Sequence, residues 1–546
     1  MKQGAFWIVW GLIFILAAAL RLNDLDVRPM HGDEANQAVK AELLLEDGVY
    51  IYDPHEHHGP TLYYAARIVQ GVLGIHSAAD TTKWSYRIVP VLFSLGILLL
   101  LLAMRKQLGY AATCWATLFI GVSHAHVYYS RYFIQESLLL FFILLAIYAG
   151  FVYLQKPGAL RAILFGCALG LIHATKETSV LIYAAMGVGF FCFITLALYH
   201  DRKVFYWPMA TPVNRTELER SFLQRVILPL KAQIPLLIMG FAIIIIVLFS
   251  AFFTHLRGPL DAFLTYISYT ERAEGMGSVA NHDKPWFYYF QILGWYMRPH
   301  SPFVWTEATF LILGLFGMVW GLMRNTTDVE IEHTIQWHRF FTGFALTLTL
   351  LYTLIPYKTP WNLLTFYLPV LILAGLVMAE VGHRFIKGGG ASRILYGLLI
   401  LLVVAGTAHH ARQTYLGTTT YRADVRNPYV YAHTATALEN KLVALIEDCT
   451  ALHKDGHAMR IDLMKPNGDY WPLPWYLRKH TQVGYWVKPP PEITADIIIT
   501  DNATRDYVLG EVGNRYKVLN HSLRPEVNLY TFIENDLWEA YIETRR

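Results

Sequence analysis

Long apolar runs set the strongest constraint on how this chain folds. An apolar helix of about 20 residues crosses the hydrocarbon core of a bilayer, and eleven stretches of the sequence approach that length with few charges. Charged residues make up 16% of the chain, against about 25% in soluble globular proteins. We therefore expect a polytopic all-α membrane bundle. The candidate spans are 5–21, 86–104, 110–127, 134–154, 160–174, 179–198, 233–253, 303–322, 340–356, 363–382 and 394–410.

The distribution of basic residues predicts an orientation. Lysine and arginine are concentrated in the loops that follow every second span, such as Arg105-Lys106, and such loops face the cytoplasm. The chain is then a multi-pass protein of the plasma membrane, with a cytoplasmic N-terminus and an extracytoplasmic C-terminus. Arginines in or beside the first outer loop, residues 22–85, break the rule, among them Arg28 and Arg87. A charged binding surface or a miscounted span would each account for them.

The first outer loop carries the most conspicuous group of titratable residues. Asp33 and Glu34 begin a predicted surface helix, Glu34–Glu46, and His58 precedes a second one, Pro60–Leu73. Charged groups beside a membrane are costly unless they are paired or used, so we interpret this loop as a functional site. The alternative is a solvated surface loop in which histidines and acids cluster by chance.

Two further polar patches lie at the outer ends of spans. Arg131 and Glu136 belong to the first, and Lys176 and Glu177 belong to the second. In the functional interpretation, Arg131 is a cation that binds a phosphate and Glu136 is an acid in a polar cavity. The alternatives are a mutual salt bridge, snorkelling of the arginine, and anchoring of the Lys176–Glu177 pair at the lipid headgroups.

Two outer loops complete the set of candidate residues. The long loop His255–Pro302 contains His282 just before an aromatic segment, as expected at a membrane interface. A tight hairpin, Pro356–Asn362, contains Lys358 and Trp361. A lone cation in that position suits a lipid phosphate, and snorkelling is again the alternative.

Beyond residue 410 the composition becomes that of a soluble protein. Short apolar runs alternate with helical patterns, which indicates a small α/β domain over residues 411–546, after a membrane domain over residues 1–410. Asp501 follows an apolar strand, where α/β sheets often place ligand residues. We expect this domain to act as a binding or docking lid.

The candidate residues suit chemistry on a lipid phosphate. An acid could take a proton from an acceptor hydroxyl or amine, while cations stabilise the departing phosphate. The sequence contains no nucleotide-binding loop, Ser-His-Asp signature or HExxH motif. A net charge of +4 is too small to indicate a nucleic-acid partner.

Four short motifs follow one another along the chain and give it a family resemblance over nearly its whole length. They are His31-Gly32-Asp33-Glu34, His58-Gly59-Pro60, Lys358-Thr359-Pro360-Trp361-Asn362 and Arg426-Asn427-Pro428-Tyr429-Val430-Tyr431. The first two motifs, after a first span, resemble the GT-C superfamily of membrane glycosyltransferases, in the branch of protein O-mannosyltransferases and aminoarabinose transferases. More narrowly, the four together resemble an archaeal and bacterial family associated with lipid-oligosaccharide flipping.

The resemblance implies roles for individual residues. Asp33 corresponds to the general base that acts on the acceptor, with Glu34 as its acidic neighbour in the catalytic pair. Glu136 corresponds to a second acid, and Lys358 to a lysine near the lipid phosphate. The full set of expected substrate-binding residues is Arg131, Glu136, Lys176, Glu177, Lys358 and Trp361.

The resemblance also implies a divalent metal. His282 corresponds to a metal-binding histidine of the aminoarabinose transferases. His58 stands where that branch carries the metal-binding glutamate of a Glu-Lys-Pro motif, which is a departure from the pattern. Two histidine ligands with acids nearby would suit zinc or manganese. Alternatively, both histidines only form hydrogen bonds with substrate or backbone.

These observations predict an inverting glycosyltransferase. It would move a sugar from a polyprenyl-phosphate donor, held among membrane lipids, to a glycan, lipid or protein acceptor outside the cell. Two alternatives stay open: a non-catalytic partner or transporter that moves lipid-linked glycans, and a scaffold whose tail captures a glycan. A transporter would spread polar residues through the membrane midplane, whereas this sequence gathers them at one face.

Overall fold

A bundle of long helices forms the first three quarters of the chain. The computed structural model describes residues 3–55, 58–200, 228–273, 282–323 and 329–545. Within these residues a helix coincides with each predicted span, so the predicted membrane bundle is confirmed. The helices are Gln3–Leu22, Lys83–Ala103, Tyr110–Val122, Glu136–Gln155, Ala159–His173, Ser179–His200, Leu228–Phe249, Ala308–Met323, Val329–Leu354, Leu363–Lys387 and Gly390–Thr418.

Not all of these helices are long enough to cross a bilayer unaided. In the part of the chain that the structure describes, six helical segments meet the length and hydropathy of a span, and four shorter apolar helices accompany them. The number of spans therefore stays a prediction. The six are Gln3–Leu22, Lys83–Ala103, Glu136–Gln155, Leu228–Phe249, Pro360–Lys387 and Gly390–Thr418.

Shorter helices connect the ends of the long ones. Both predicted surface helices of the first loop are present, as Gly32–Asp47 and Thr61–Leu73. Glycines in the left-handed conformation end both of them, at Gly48 and Gly74, which is a common way for a helix to stop. The other connecting helices are Arg105–Leu108, His124–Tyr129, Gly258–Ala273 and Tyr288–Gly294.

Helix Leu363–Lys387 is the central element of the bundle. Its residues are buried along most of its length, and it packs against Tyr110–Val122, Ala308–Met323 and Val329–Leu354. An all-round apolar helix is stable in this position because neighbouring helices cover every face. The short turn Pro360–Asn362 precedes it, so Trp361 stands at the N-terminal end of the central helix.

Small residues allow one pair of membrane helices to approach closely. Helix Ala159–His173 packs against Leu228–Phe249. A Cβ added to Gly166 would lie 2.0 Å from the carbonyl oxygen of Leu237, and one added to Gly240 would lie 2.1 Å from a carbonyl oxygen on the facing helix. Glycine at both positions permits this backbone contact, which is a standard source of helix association in lipid.

The tail forms the predicted α/β domain around a five-stranded sheet. The strands are β1 (Ile461–Met464), β2 (Val483–Trp486), β3 (Ile497–Thr500), β4 (Tyr516–Arg524) and β5 (Val527–Glu534). Their order in the sheet is β2-β1-β3-β5-β4. Strands β1, β2 and β3 are parallel, and β5 runs antiparallel to both β3 and β4. The last long helix continues to Thr418, past the predicted domain boundary at residue 410. The helical segments are Leu438–Val443, Ala444–Leu452, Leu473–Tyr476, Arg505–Val512 and Asn535–Glu543.

Replacing Gly166 by leucine tests the close helix contact. The larger side chain would meet backbone atoms that cannot move aside. We expect the free energy of unfolding to fall by about 1–3 kcal/mol or more, which is measured as a lower apparent unfolding temperature in detergent. Gly187→Leu is the matched control, because nothing lies within 4 Å of the Cβ position of Gly187. Equal unfolding temperatures for the two variants would contradict the predicted packing.

Candidate functional site

The turn before the first surface helix exposes the carboxylate of Asp33. The Nδ1 atom of His31 accepts a hydrogen bond from the backbone N–H of Asp33 at 3.1 Å, and Nε2 lies 2.9 Å from the carbonyl oxygen of Tyr431. A carbonyl only accepts, so the ring carries its proton on Nε2 and Nδ1 is free to accept. His31 therefore holds the backbone at Asp33, while Asp33 itself is exposed.

Glu34 has the opposite environment, although it is the next residue. Its side chain is fully buried, and it receives two hydrogen bonds of 2.9 Å from Arg87 and one of 3.1 Å from Arg28. The backbone N–H groups of His31 and Phe133 also donate to it, at 3.1 and 3.0 Å. Burial raises the pKa of Glu34, but the two arginines outweigh burial and hold it well below its usual range. These contacts give Glu34 a structural role, and its predicted catalytic role stays a prediction.

Two loops that are distant in sequence come together beside Asp33. The backbone N–H of Lys358 donates to the carbonyl of His282 at 3.0 Å, which joins the long outer loop to the hairpin at residues 356–362. The ring of Trp361 lies 6.1 Å from the ring of His31 and 5.9 Å from that of Tyr431. The first loop, the long loop, the hairpin and the start of the tail therefore meet at one place.

A tyrosine–histidine pair lies close enough to Asp33 to be affected by its charge. The hydroxyl of Tyr431 lies 2.8 Å from Nδ1 of His282. Burial, then Tyr357, then the charge of Asp33 raise the pKa of Tyr431 to about 12. Burial lowers the pKa of His282, although Asp33 acts in the other direction. A protonated tyrosine beside a neutral histidine donates the hydrogen bond, so His282 carries its own proton on Nε2.

Sequence reasoning did not identify Tyr431 as a site residue. The segment Arg426–Tyr431 contributed to the family resemblance, but no functional role was predicted for it. Its position in the soluble tail gave no indication that it contacts the membrane part. The repeated aromatic pattern at Tyr429 and Tyr431 was the available signal.

Glu136 and Lys176 form a buried ion pair next to this junction. Their charged atoms lie 2.5 Å apart, and Lys176 also donates to the side-chain oxygen of Asn362 at 3.2 Å. Burial alone would lower the pKa of Lys176, but the carboxylate of Glu136 raises it, so the lysine stays charged. The pair lines a narrow cleft together with Tyr352 and Trp361. Trp361 therefore contacts this cleft on one side and His31 and Tyr431 on the other.

Glu177 pairs with His58 rather than with its neighbour in the chain. The two side chains lie 2.8 Å apart. Burial raises the pKa of Glu177, but the contact with His58 lowers it below its usual range. The approach depends on Gly59, because a Cβ there would lie 2.2 Å from the carbonyl oxygen of Ala174. His58-Gly59-Pro60 is therefore docked on the turn that carries Lys176 and Glu177.

The predicted cation Arg131 lies behind Glu34. Its guanidinium donates to the backbone carbonyls of Leu20 and Asp24, each at 3.1 Å, so the suggested salt bridge between Arg131 and Glu136 is not formed. Arg131 lines a narrow cleft together with Arg28 and Arg87. Burial, together with the charges of these two arginines, lowers the pKa of Arg131 to about 9. Its predicted role at a phosphate is not tested by these contacts.

Lys358 is buried, and its ammonium group donates to the backbone carbonyl of Ile355. Burial lowers the pKa of Lys358, and the charge of Asp283 partly offsets that effect. The alternative of snorkelling does not describe this side chain, because it is directed into the protein. Its predicted contact with a lipid phosphate stays a prediction.

The two predicted metal ligands form hydrogen bonds with different partners. His58 bonds Glu177, and His282 bonds Tyr431. Among the residues that the structure describes, no three histidine, cysteine, aspartate or glutamate side chains are grouped to hold a metal ion. These contacts do not test a metal centre at His58 and His282, so zinc or manganese stays a prediction, and no step below depends on it.

Replacing Glu34 by glutamine tests the structural role of this residue. The change removes the charge that Arg28 and Arg87 face, and breaking a buried ion pair costs about 3–5 kcal/mol. We expect Glu34→Gln to unfold in detergent at a clearly lower temperature, whereas Asp33→Asn, on the exposed neighbour, should unfold like the unmodified protein. Equal stability of both variants would show that the Glu34 network does not hold the turn.

Comparison with known proteins agrees with the bundle and its attached domain. Residues 72–270 match the family described as PMT, dolichyl-phosphate-mannose-protein mannosyltransferase. No curated protein sequence matches the chain.

Several solved structures share its fold. ArnT from Cupriavidus metallidurans bound to undecaprenyl phosphate has a TM-score of 0.59 at 13% identity, covering 98% of this chain and 99% of that chain. The apo state of the same ArnT has a TM-score of 0.58 at 13% identity, with the same coverage. The archaeal oligosaccharyltransferase AglB from Archaeoglobus fulgidus has a TM-score of 0.54 at 10% identity, covering 99% of this chain and 77% of that chain. The chain therefore has the GT-C fold of membrane glycosyltransferases, and its resemblance to the mannosyltransferase and ArnT-like branch is confirmed.

Proposed function

We propose that this protein is a glycosyltransferase that moves a sugar from a polyprenyl-phosphate donor to an acceptor on the extracytoplasmic face of the plasma membrane. The observation that carries the proposal is the exposed carboxylate of Asp33, held where four separate segments of the chain meet. A buried acid–lysine pair, Glu136–Lys176, lines a cleft together with Trp361, whose ring also lies near that of His31.

The fold supports a lipid-linked donor. The ArnT structure that resembles this chain was solved with undecaprenyl phosphate, and the AglB structure with a dolichol-phosphate and an inhibitory peptide. The membrane bundle of this chain gives a long lipid tail a place to lie, while the polar residues gather at one end of the helices. A headgroup phosphate would then stand at the level of the site.

The reaction we propose is a direct displacement at the anomeric carbon. Asp33 accepts the proton of the acceptor hydroxyl or amine as its oxygen or nitrogen attacks that carbon. The bond between the anomeric carbon and the phosphate oxygen breaks, its electron pair leaves with the polyprenyl phosphate, and the configuration inverts. Lys176, Arg131 and Lys358 are the candidates to stabilise the negative charge that develops on the phosphate.

The neighbours of Asp33 prepare it for this role. His31 fixes the backbone of the turn through a single tautomer, so the carboxylate keeps its direction. The burial of Glu34 among arginines keeps a second carboxylate away from Asp33. Tyr431 and His282 form the opposite wall, with polar groups that can bond an acceptor or a sugar hydroxyl.

Asp33→Asn tests the general base directly. The amide keeps the shape of the side chain but cannot take a proton, and loss of a general base lowers rates by about 10²–10⁴-fold. We expect release of polyprenyl phosphate from a labelled polyprenyl-phosphate sugar to become undetectable, while thermal unfolding is unchanged. Asp47→Asn, at the exposed far end of the same helix, is the control and should retain full turnover. Normal turnover by Asp33→Asn would remove this residue from the mechanism.

Tyr431→Phe tests the wall opposite Asp33. The variant loses the hydrogen bond to His282, worth about 1 kcal/mol, but keeps the backbone carbonyl that binds His31. We expect kcat to fall about fivefold and the KM for the donor to stay the same. Tyr415→Phe, at an exposed position on the last long helix, serves as control. An unchanged kcat would place Tyr431 outside the reaction.

A further inference from the structure

One loop of the tail domain lies directly against the Asp33 turn. This loop, residues 465–472, joins strand β1 to helix Leu473–Tyr476. A Cβ added to Gly32, the residue before Asp33, would lie 3.6 Å from the Cβ of Trp471. The hydroxyl of Tyr476 accepts a hydrogen bond from the backbone N–H of Met30 at 2.9 Å. This bond fixes the helix that follows the loop to the segment just before Asp33. The loop therefore borders the proposed site on its extramembrane side.

Aromatic side chains line the outer part of this loop. The ring of Tyr470 lies 5.0 Å from the ring of Tyr485 and 6.3 Å from that of Trp471. Tyr485 is 40% exposed, so the cluster is accessible from solution. Such side chains combine a large apolar face with a polar group, which suits ligands that are apolar on one face and polar at their edges.

Charged side chains surround the aromatic cluster. Asp469 pairs with Arg524, and Lys465 lies 3.8 Å from Asp501. Lys465 and Asp501 directly follow the parallel strands β1 and β3. Arg524 is the last residue of β4. Strand β4 runs in the same direction as β3, because both are antiparallel to β5. The carboxyl ends of such strands are where open α/β sheets bind ligands.

We propose that this cluster binds a glycan and presents it to Asp33 as the acceptor of the reaction. A sugar ring offers a C–H face that packs on an aromatic ring, and hydroxyl groups that bond carboxylates and guanidinium groups. This inference rests on the proposed function, because it names the acceptor class for the same site. It gives the tail domain the task of holding the acceptor while the bundle holds the lipid-linked donor.

A peptide acceptor fits this surface less well. Recognition of an extended peptide commonly uses the free backbone groups of an edge strand. The strand at this edge, β2, spans only Val483–Trp486, and the accessible groups beside it are aromatic and charged side chains. A glycan makes use of those side chains, whereas a peptide backbone does not.

The test is binding of soluble sugars by the full-length protein in lipid nanodiscs. The probes are mannotriose, chitotriose and maltotriose, and saturation-transfer NMR measures their binding. A serine- and threonine-containing peptide represents the alternative class of acceptor. We expect at least one trisaccharide to bind the unmodified protein, and Tyr485→Ala to weaken that binding at least tenfold. Tyr507→Ala, which alters another exposed tyrosine on helix Arg505–Val512, is the matched control and should bind normally. Thermal unfolding of both variants checks that they are folded.

Three results would overturn the proposal: no trisaccharide binds, Tyr485→Ala binds as tightly as the control, or the peptide binds in place of the sugars. The assay does not require turnover, so it separates this inference from the proposed function. Asp33→Asn should lose transfer and still bind the trisaccharide. Sugar binding without any transfer by the unmodified protein would refute the proposed function, and with it the acceptor role, but would leave the glycan-binding site standing. Transfer without sugar binding would refute the glycan site alone.

Discussion

The buried ion network around Glu34 is the interaction on which the rest of the site depends. A carboxylate removed from water is very unfavourable unless charged partners and hydrogen bonds replace its hydration, and here Arg28, Arg87 and two backbone N–H groups do so. Because successive residues of a helix point in different directions, anchoring Glu34 inward turns Asp33 outward. The exposure of Asp33 therefore follows from the burial of its neighbour.

The arginines of this network extend its influence to other segments. Arg28 also donates to the backbone carbonyl of Arg131 at 2.7 Å, and Arg131 in turn binds carbonyls at the end of the first long helix. Arginine suits such positions because its planar group can satisfy several acceptors at once. The excess of arginine in the predicted first outer loop, which departs from the positive-inside rule, is thus partly explained by buried structural pairing.

The membrane part and the tail domain share one site rather than meeting at a passive boundary. Tyr431 contributes a carbonyl to His31, a hydroxyl to His282 and a ring to Trp361. Trp471, further along the tail, packs beside Gly32. Both contacts place residues of the tail against His31 and Gly32, the two residues that precede Asp33. A division of labour between a donor side in the bundle and an acceptor side in the tail is consistent with this arrangement.

The sequence by itself determined the features that depend on local pattern. Hydropathy over about 20 residues located the helices of the bundle, the spacing of apolar residues located the two surface helices, and short β-branched runs located the strands of the tail. The motif around Asp33 also indicated where the site begins. Each of these properties can be read from a short stretch of chain because it arises from neighbouring residues.

Only the tertiary structure decided which side chains face each other. The pairs Glu136–Lys176, His58–Glu177 and Tyr431–His282 join residues that are far apart in the sequence. It also assigned different environments to Asp33 and Glu34, which the sequence presents as an equivalent acid pair. Their difference arises from burial and from charges supplied by distant segments, and these quantities exist only once the helices have packed.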